Sequence, residues 1–167
     1  MTAFLNHSLY DRHKGVGCMR IYGIYKVKKM YEKFIIGREQ LLYELLKGHV
    51  KDERSLQEVH YLCDTIDLAP IDEVIMSKLS KVFETVHSEA GRYELTHSVK
   101  GKINIIHSPY SLIVKCDGSR MLDLDLFVAL SETDRRFFAV MEDGNEWGWL
   151  KPMKHSDEKI ERAVVFR

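Results

Sequence analysis

Three runs decide the fold: Tyr93-Glu-Leu-Thr-His97, Lys102-Ile-Asn-Ile-Ile-His107 and Ser111-Leu-Ile-Val-Lys-Cys116. Each is short and rich in Ile, Val, Leu and Tyr, the residue types that suit a pleated, half-buried surface. Ser98 to Gly101 joins the first to the second, and the Ser108-Pro109 corner joins the second to the third. Strands separated by such short turns can pair only antiparallel, so the stretch reads as a meander.

Outward from the meander, Asp117-Gly118-Ser119 punctuates the chain and can cap the next element. In Met121 to Leu130 the alternation Leu122-Asp-Leu-Asp-Leu126 suits a strand, whereas Leu122, Leu126, Ala129 and Leu130 suit a helix; the segment is assigned as a helix. Arg136 to Met141 reads as a buried strand, Gly144 as a turn, and Trp147-Gly148-Trp149-Leu150 as a short aromatic end to the core. Upstream, Ile71, Val74, Ile75, Leu79, Val82 and Phe83 recur at helical spacing after Pro70, which predicts one helix ending before Gly91. A helix opening at Asp52, Glu53 and Ser55 turns Leu56, Val59, Cys63 and Ile66 inward. At 100° per residue, Tyr61 then falls nearly opposite that stripe, with Glu58 and Thr65, and is expected on the outside.

Glu39 to Lys47 is a further helix, with Leu41, Leu42, Leu45 and Leu46 on its apolar face and Gly48 as its cap; Tyr43, among these leucines, is assigned to the core. Ile21 to Val27 is a strand. The basic stretch after it, with Lys26, Lys28, Lys29 and Lys33 around Met30, Tyr31 and Phe34, is read as a solvated strand end and turn. Together these elements predict a single-domain α+β fold, a mixed and mostly antiparallel sheet with helices packed on it.

The chain has 167 residues and equal numbers of acidic and basic side chains, 25 of each. That length supports a core without disulfides or metal. Zero net charge at ordinary hydrophobicity argues against disorder and against a generic nucleic-acid binder. Three widely spaced cysteines, Cys18, Cys63 and Cys116, fit reduced thiols and a cytoplasmic setting. Met1 to Cys18 lacks the apolar core of a signal peptide and is expected to be a loose extension before Met19.

No phosphate-cradling glycine motif, nucleophile elbow or paired metal-ligand motif is present. His60-x-x-Cys63 has no second half. Asp123-x-Asp125 could hold a divalent ion, making a small metal-dependent enzyme one alternative; the solvated face of a helix or strand explains the pair more cheaply. The Lys26 to Lys33 stretch supplies a second alternative, a nucleic-acid-binding regulator, and its Tyr, Phe and Met suit a protein interface as well.

Two signatures go further. Ile21-Tyr-Gly-Ile-Tyr-Lys-Val running to Gly37-Arg38-Glu39, and Phe137-Phe-Ala-Val-Met-Glu running to Gly148-Trp149-Leu150-Lys151-Pro152, resemble the sporulation inhibitor of replication (SirA) family of Bacillus and its relatives. The resemblance covers about Met19 to Lys154, between the extension 1–18 and a polar tail 155–167. It implies a small, cytosolic, non-catalytic protein without cofactor or metal. Such a protein is expected to act as a monomer, binding the N-terminal domain of the replication initiator DnaA and blocking initiation at the onset of sporulation. By position, the family's partner-binding surface falls on Tyr31 and Ile35, and on Tyr61 with Glu58 one turn earlier. Ile35 stands where the family has an aromatic, a role the neighbouring Phe34 could take over.

Overall fold

The computed structural model describes residues 19–47, 56–142 and 144–151. The expected extension 1–18, the cap at Gly48, the opening at Asp52, Glu53 and Ser55, and the tail 155–167 lie outside the described residues.

The meander forms as its alternation requires. Strands β3 (Thr85–Glu89), β4 (Arg92–His97), β5 (Gly101–Ser108) and β6 (Ser111–Gly118) pair in sequence order, and β6 then pairs with β1 (Met19–Val27). β7 (Phe137–Met141) flanks β1 on its other side and carries β8 (Trp147–Trp149), giving the order β3-β4-β5-β6-β1-β7-β8. The two-residue β2 (Cys63–Asp64) pairs with the far end of β1. Every pairing among the described strands is antiparallel. The result is the expected α+β architecture.

Register at the β5–β6 end is pinned by two glycines that face each other, Gly101 and Gly118. A Cβ on Gly101 would stand 2.1 Å from the Asp117 carbonyl oxygen, and one on Gly118 2.2 Å from that of Lys100. Their φ angles, 119° and 127°, also lie where only glycine is relaxed.

Among the described residues five α-helices cover the two faces of the sheet unequally: α1 (Lys29–Ile35), α2 (Glu39–Leu46), α3 (Leu56–Leu62), α4 (Leu68–Ser77) and α5 (Arg120–Ser131). On one face Ile71, Val74 and Ile75 of α4 and Leu122, Leu126 and Leu130 of α5 pack against Tyr22, Ile24, Leu95, Ile103, Ile105, Leu112 and Val114. On the other, α1, α2 and α3 place Ile35, Leu42, Leu46 and Val59 against Tyr25, Val27, Phe138, Val140 and Trp149. β1 therefore feeds both cores, because its alternate side chains point to opposite faces. The aromatic finish packs as its sequence predicts: Trp149 is buried, and Trp147 is half-buried and stacked near Phe138 and Tyr43.

Four sequence expectations are corrected. The helix expected from Pro70 onward stops at Ser77; a 3₁₀ turn follows at Leu79–Lys81, and Thr85–Glu89 becomes edge strand β3. Pairing with β4 decides that segment, since only Val86 of the strand packs on the core. The stretch read as a strand end and turn contains helix α1. Leu41, expected inward, is exposed, because four leucines within six positions span a wider arc than α2 buries. The helix expected to carry Cys63 inward ends at Leu62; Cys63 is buried instead from strand β2.

Candidate protein-binding face

The candidate residues lie on the helices of the second face. α1 leaves β1 after Lys28 and starts without a side-chain cap. The Lys28 amide donates to the Leu62 carbonyl at 2.9 Å, which ties the start of α1 to the end of α3. A sharp reversal comes after α1. Gly37 takes φ of 86°, its amide donates to Glu39 Oε1 at 3.0 Å, and Trp149 Nε1 donates to the same oxygen at 3.3 Å. Gly37-Arg38-Glu39 is thus the corner that turns the chain from α1 into α2 and fastens it to β8.

The seven residues of α1 bury only Glu32 and Ile35. Glu32 is held by Arg135, whose Nη2 lies 2.8 Å from Glu32 Oε1. Ile35 is 2 % exposed and belongs to the core. Its expected role as a surface contact is corrected, because an isoleucine at this position of α1 points at Tyr25 and Val27 rather than outward. Phe34, 54 % exposed, holds the outward position. Met30, one turn before it, is 74 % exposed.

α3 turns Val59 inward and leaves Tyr61 64 % exposed with Glu58 beside it, as the helical wheel predicts. Tyr31 and Tyr61 come together, their ring centroids 5.4 Å apart and their planes tilted by 35°. A hydrogen bond with Tyr61 holds the Tyr31 phenol above the ordinary tyrosine range. Beside Tyr61 a shallow depression of about 320 Å³ is lined by Leu45, Gln57, Glu58 and Leu62. Tyr31, Phe34, Glu58 and Tyr61 thus lie on two neighbouring helices, with the exposed Met30 on the same helix as Tyr31 and Phe34. Such a concentration of exposed apolar side chains marks an interaction surface more often than an accident of folding.

The alternative readings find less support. Asp123 is buried rather than solvated. Arg20 Nε donates to its Oδ2 at 2.8 Å, Arg20 Nη2 to its Oδ1 at 2.7 Å, and the Tyr22 hydroxyl donates to it as well. Asp125 pairs separately with Lys100 Nζ at 2.9 Å. The two carboxylates therefore serve different cations and do not converge on one ion. No group of three or more His, Cys, Asp or Glu that could hold a metal occurs among the described residues. His60 stacks on Tyr110 with centroids 4.0 Å apart, and Cys63 is buried. The basic stretch is not one continuous patch: Lys26 lies 3.7 Å from Asp134, Lys28 is half-buried, and Lys29 and Lys33 are exposed. No helix among the described residues is long and apolar enough to cross a membrane.

A family model described as sporulation inhibitor of replication protein SirA matches residues 20–154. No curated protein matches the chain.

Proposed function

The chain belongs to the family of the sporulation inhibitor of replication protein SirA, and from that premise we propose that it binds the N-terminal domain of the initiator DnaA through the face formed by α1 and α3. The observation that carries this reading is the contact between Tyr31 and Tyr61. Two residues 30 positions apart in the sequence bring their rings into contact, with Phe34 and Glu58 on the same two helices. Exposed aromatics at the centre of a patch with charges at its edge are the arrangement that carries affinity in protein interfaces.

The mechanism is occlusion. One copy of the chain acts in the cytoplasm and covers a surface that the initiator needs for assembly. The helices rest on a buried apolar layer, so the face is preorganised and little conformational freedom is lost on binding. No catalytic group, cofactor or metal takes part. A specific complex of this kind buries about 1,200–2,000 Å² in total.

Titration of the purified chain into the purified DnaA N-terminal domain, followed by calorimetry, tests the proposal. A saturable one-to-one heat is expected. No heat at micromolar concentrations of both proteins would contradict it.

A further inference from the structure

We propose that α1 presents a laterally polarised docking face, and that it fits a partner surface whose apolar socket is bordered on one side by carboxylates. The inference rests on the partner role of this face proposed above, and adds the chemistry the partner must supply.

At 100° per residue the exposed side of α1 reads in order Lys29, Lys33, Met30, Phe34, Tyr31. Glu32 and Ile35 occupy the buried side. The two lysines thus form one flank, Met30 and Phe34 the middle, and Tyr31, extended by Tyr61, the other flank. Neighbouring cations are matched within the chain, Lys26 by Asp134 and Arg135 by Glu32. Lys29 and Lys33 are exposed and make no ion pair among the described residues. Glu58, on α3, lies beside Tyr61 on the tyrosine flank.

The middle is held in place. Arg38 Nη1 donates to the Phe34 carbonyl at 2.9 Å, and the Arg38 guanidinium lies 4.7 Å from the centroid of the Phe34 ring. A planar guanidinium that binds the backbone and stacks on the ring of the same residue restricts that ring without covering both of its faces. Phe34 is therefore a rigid knob, and the lysines beside it favour a partner with acidic groups on that flank only. Complementary charges of this kind act mainly on approach and register, while the buried knob governs residence time. The lysines and aromatics could also meet a nucleic-acid backbone; the zero net charge of the chain favours the protein partner.

The test measures association and dissociation rates with the purified DnaA N-terminal domain at low and high salt. It compares the wild-type chain, the double variant Lys29→Glu/Lys33→Glu, Phe34→Ala and Tyr61→Ala, with circular dichroism to establish folding. All four replaced side chains are exposed, so the variants are expected to fold. Charge reversal is expected to slow association roughly tenfold at low salt, with the difference shrinking at high salt. Phe34→Ala is expected to speed dissociation by about thirty-fold. Loss of binding in Tyr61→Ala alongside unchanged, salt-insensitive association of the charge-reversed variant would overturn this inference and leave the proposed function standing. Failure of the wild-type chain to bind the domain would overturn both. Binding of duplex DNA by the wild-type chain, lost on charge reversal, would assign the lysines to nucleic acid and overturn the inference.

Discussion

Tyr61 lies over Tyr31, ring centroids 5.4 Å apart, and this contact fastens the exposed edge of α3 to that of α1. Tyr61 fills no core, and Tyr31 packs half-buried against the edge of the second one. The layer beneath them is closed by Ile35, Val59 and Cys63. Tyr61 is large, aromatic and exposed, and its contact with the half-buried Tyr31 crosses from one helix to another.

Replacement of Tyr61 by Ala is therefore expected to leave stability within about 0.5 kcal/mol of the wild type. It is expected to weaken binding to the DnaA N-terminal domain by about thirty-fold or more, the effect of losing a central interface aromatic worth about 2 kcal/mol. Thermal unfolding and calorimetric titration check the two halves. A large fall in melting temperature would make the residue structural.

Asp123 supports the opposite prediction. Arg20 holds it with two nitrogens, Tyr22 donates to the same carboxylate, and all three are buried. Asp123→Ala leaves the guanidinium buried without its counter-charge, at a cost of about 3–5 kcal/mol. Asp125→Ala, which removes a partly exposed partner of Lys100, is expected to cost about 1 kcal/mol or less. Denaturant titration of the two variants side by side measures the contrast.

Gly101→Ala is expected to destabilise the sheet by more than about 1 kcal/mol. The added Cβ meets backbone at 2.1 Å, and φ of 119° is strained for any L side chain. Both costs fall on the β5–β6 end, so denaturant unfolding should shift while the face of α1 and α3 keeps its binding affinity.

The chain should lose stability in alkali. Burial pushes the Cys63 thiol up to about 12, and burial together with the hydrogen bond to Asp72 pushes the Tyr93 phenol up to about 12. The unfolded chain releases these protons at lower pH, thiols near about 8.5 and phenols near about 10. Between those values and about 12 the folded state binds more protons than the unfolded one, so stability falls as pH rises through that window and is unaffected by these groups below it. Denaturant midpoints measured from neutral pH upward are expected to decline from about pH 9. A flat profile would contradict the burial of these groups.

The sheet was legible because its strands alternate. Ile103 and Ile105, then Leu112, Val114 and Cys116, mark one buried face at a period of two, and the meander results. Helix α1 was not legible, since seven residues that bury a single apolar side chain, Ile35, carry too little periodic signal. Strand β3 was hidden because it is an edge whose side chains are mostly exposed, so its pairing comes from β4 rather than from its own pattern. The outward position of Tyr61 could be read from a wheel, because Val59, two residues before it on the same helix, fixes the inward direction. The ion pair that buries Asp123 could not be read, because its partner Arg20 lies 103 positions away.

Docking of the partner on the face of α1 and α3 is tested most directly by the change in amide chemical shifts of the isotope-labelled chain as the unlabelled DnaA N-terminal domain is added. The largest changes are expected at Met30, Tyr31, Phe34, Glu58 and Tyr61, with little change along β3 and β4. Changes centred on the open faces of β3 and β4, with α1 and α3 unmoved, would contradict the account.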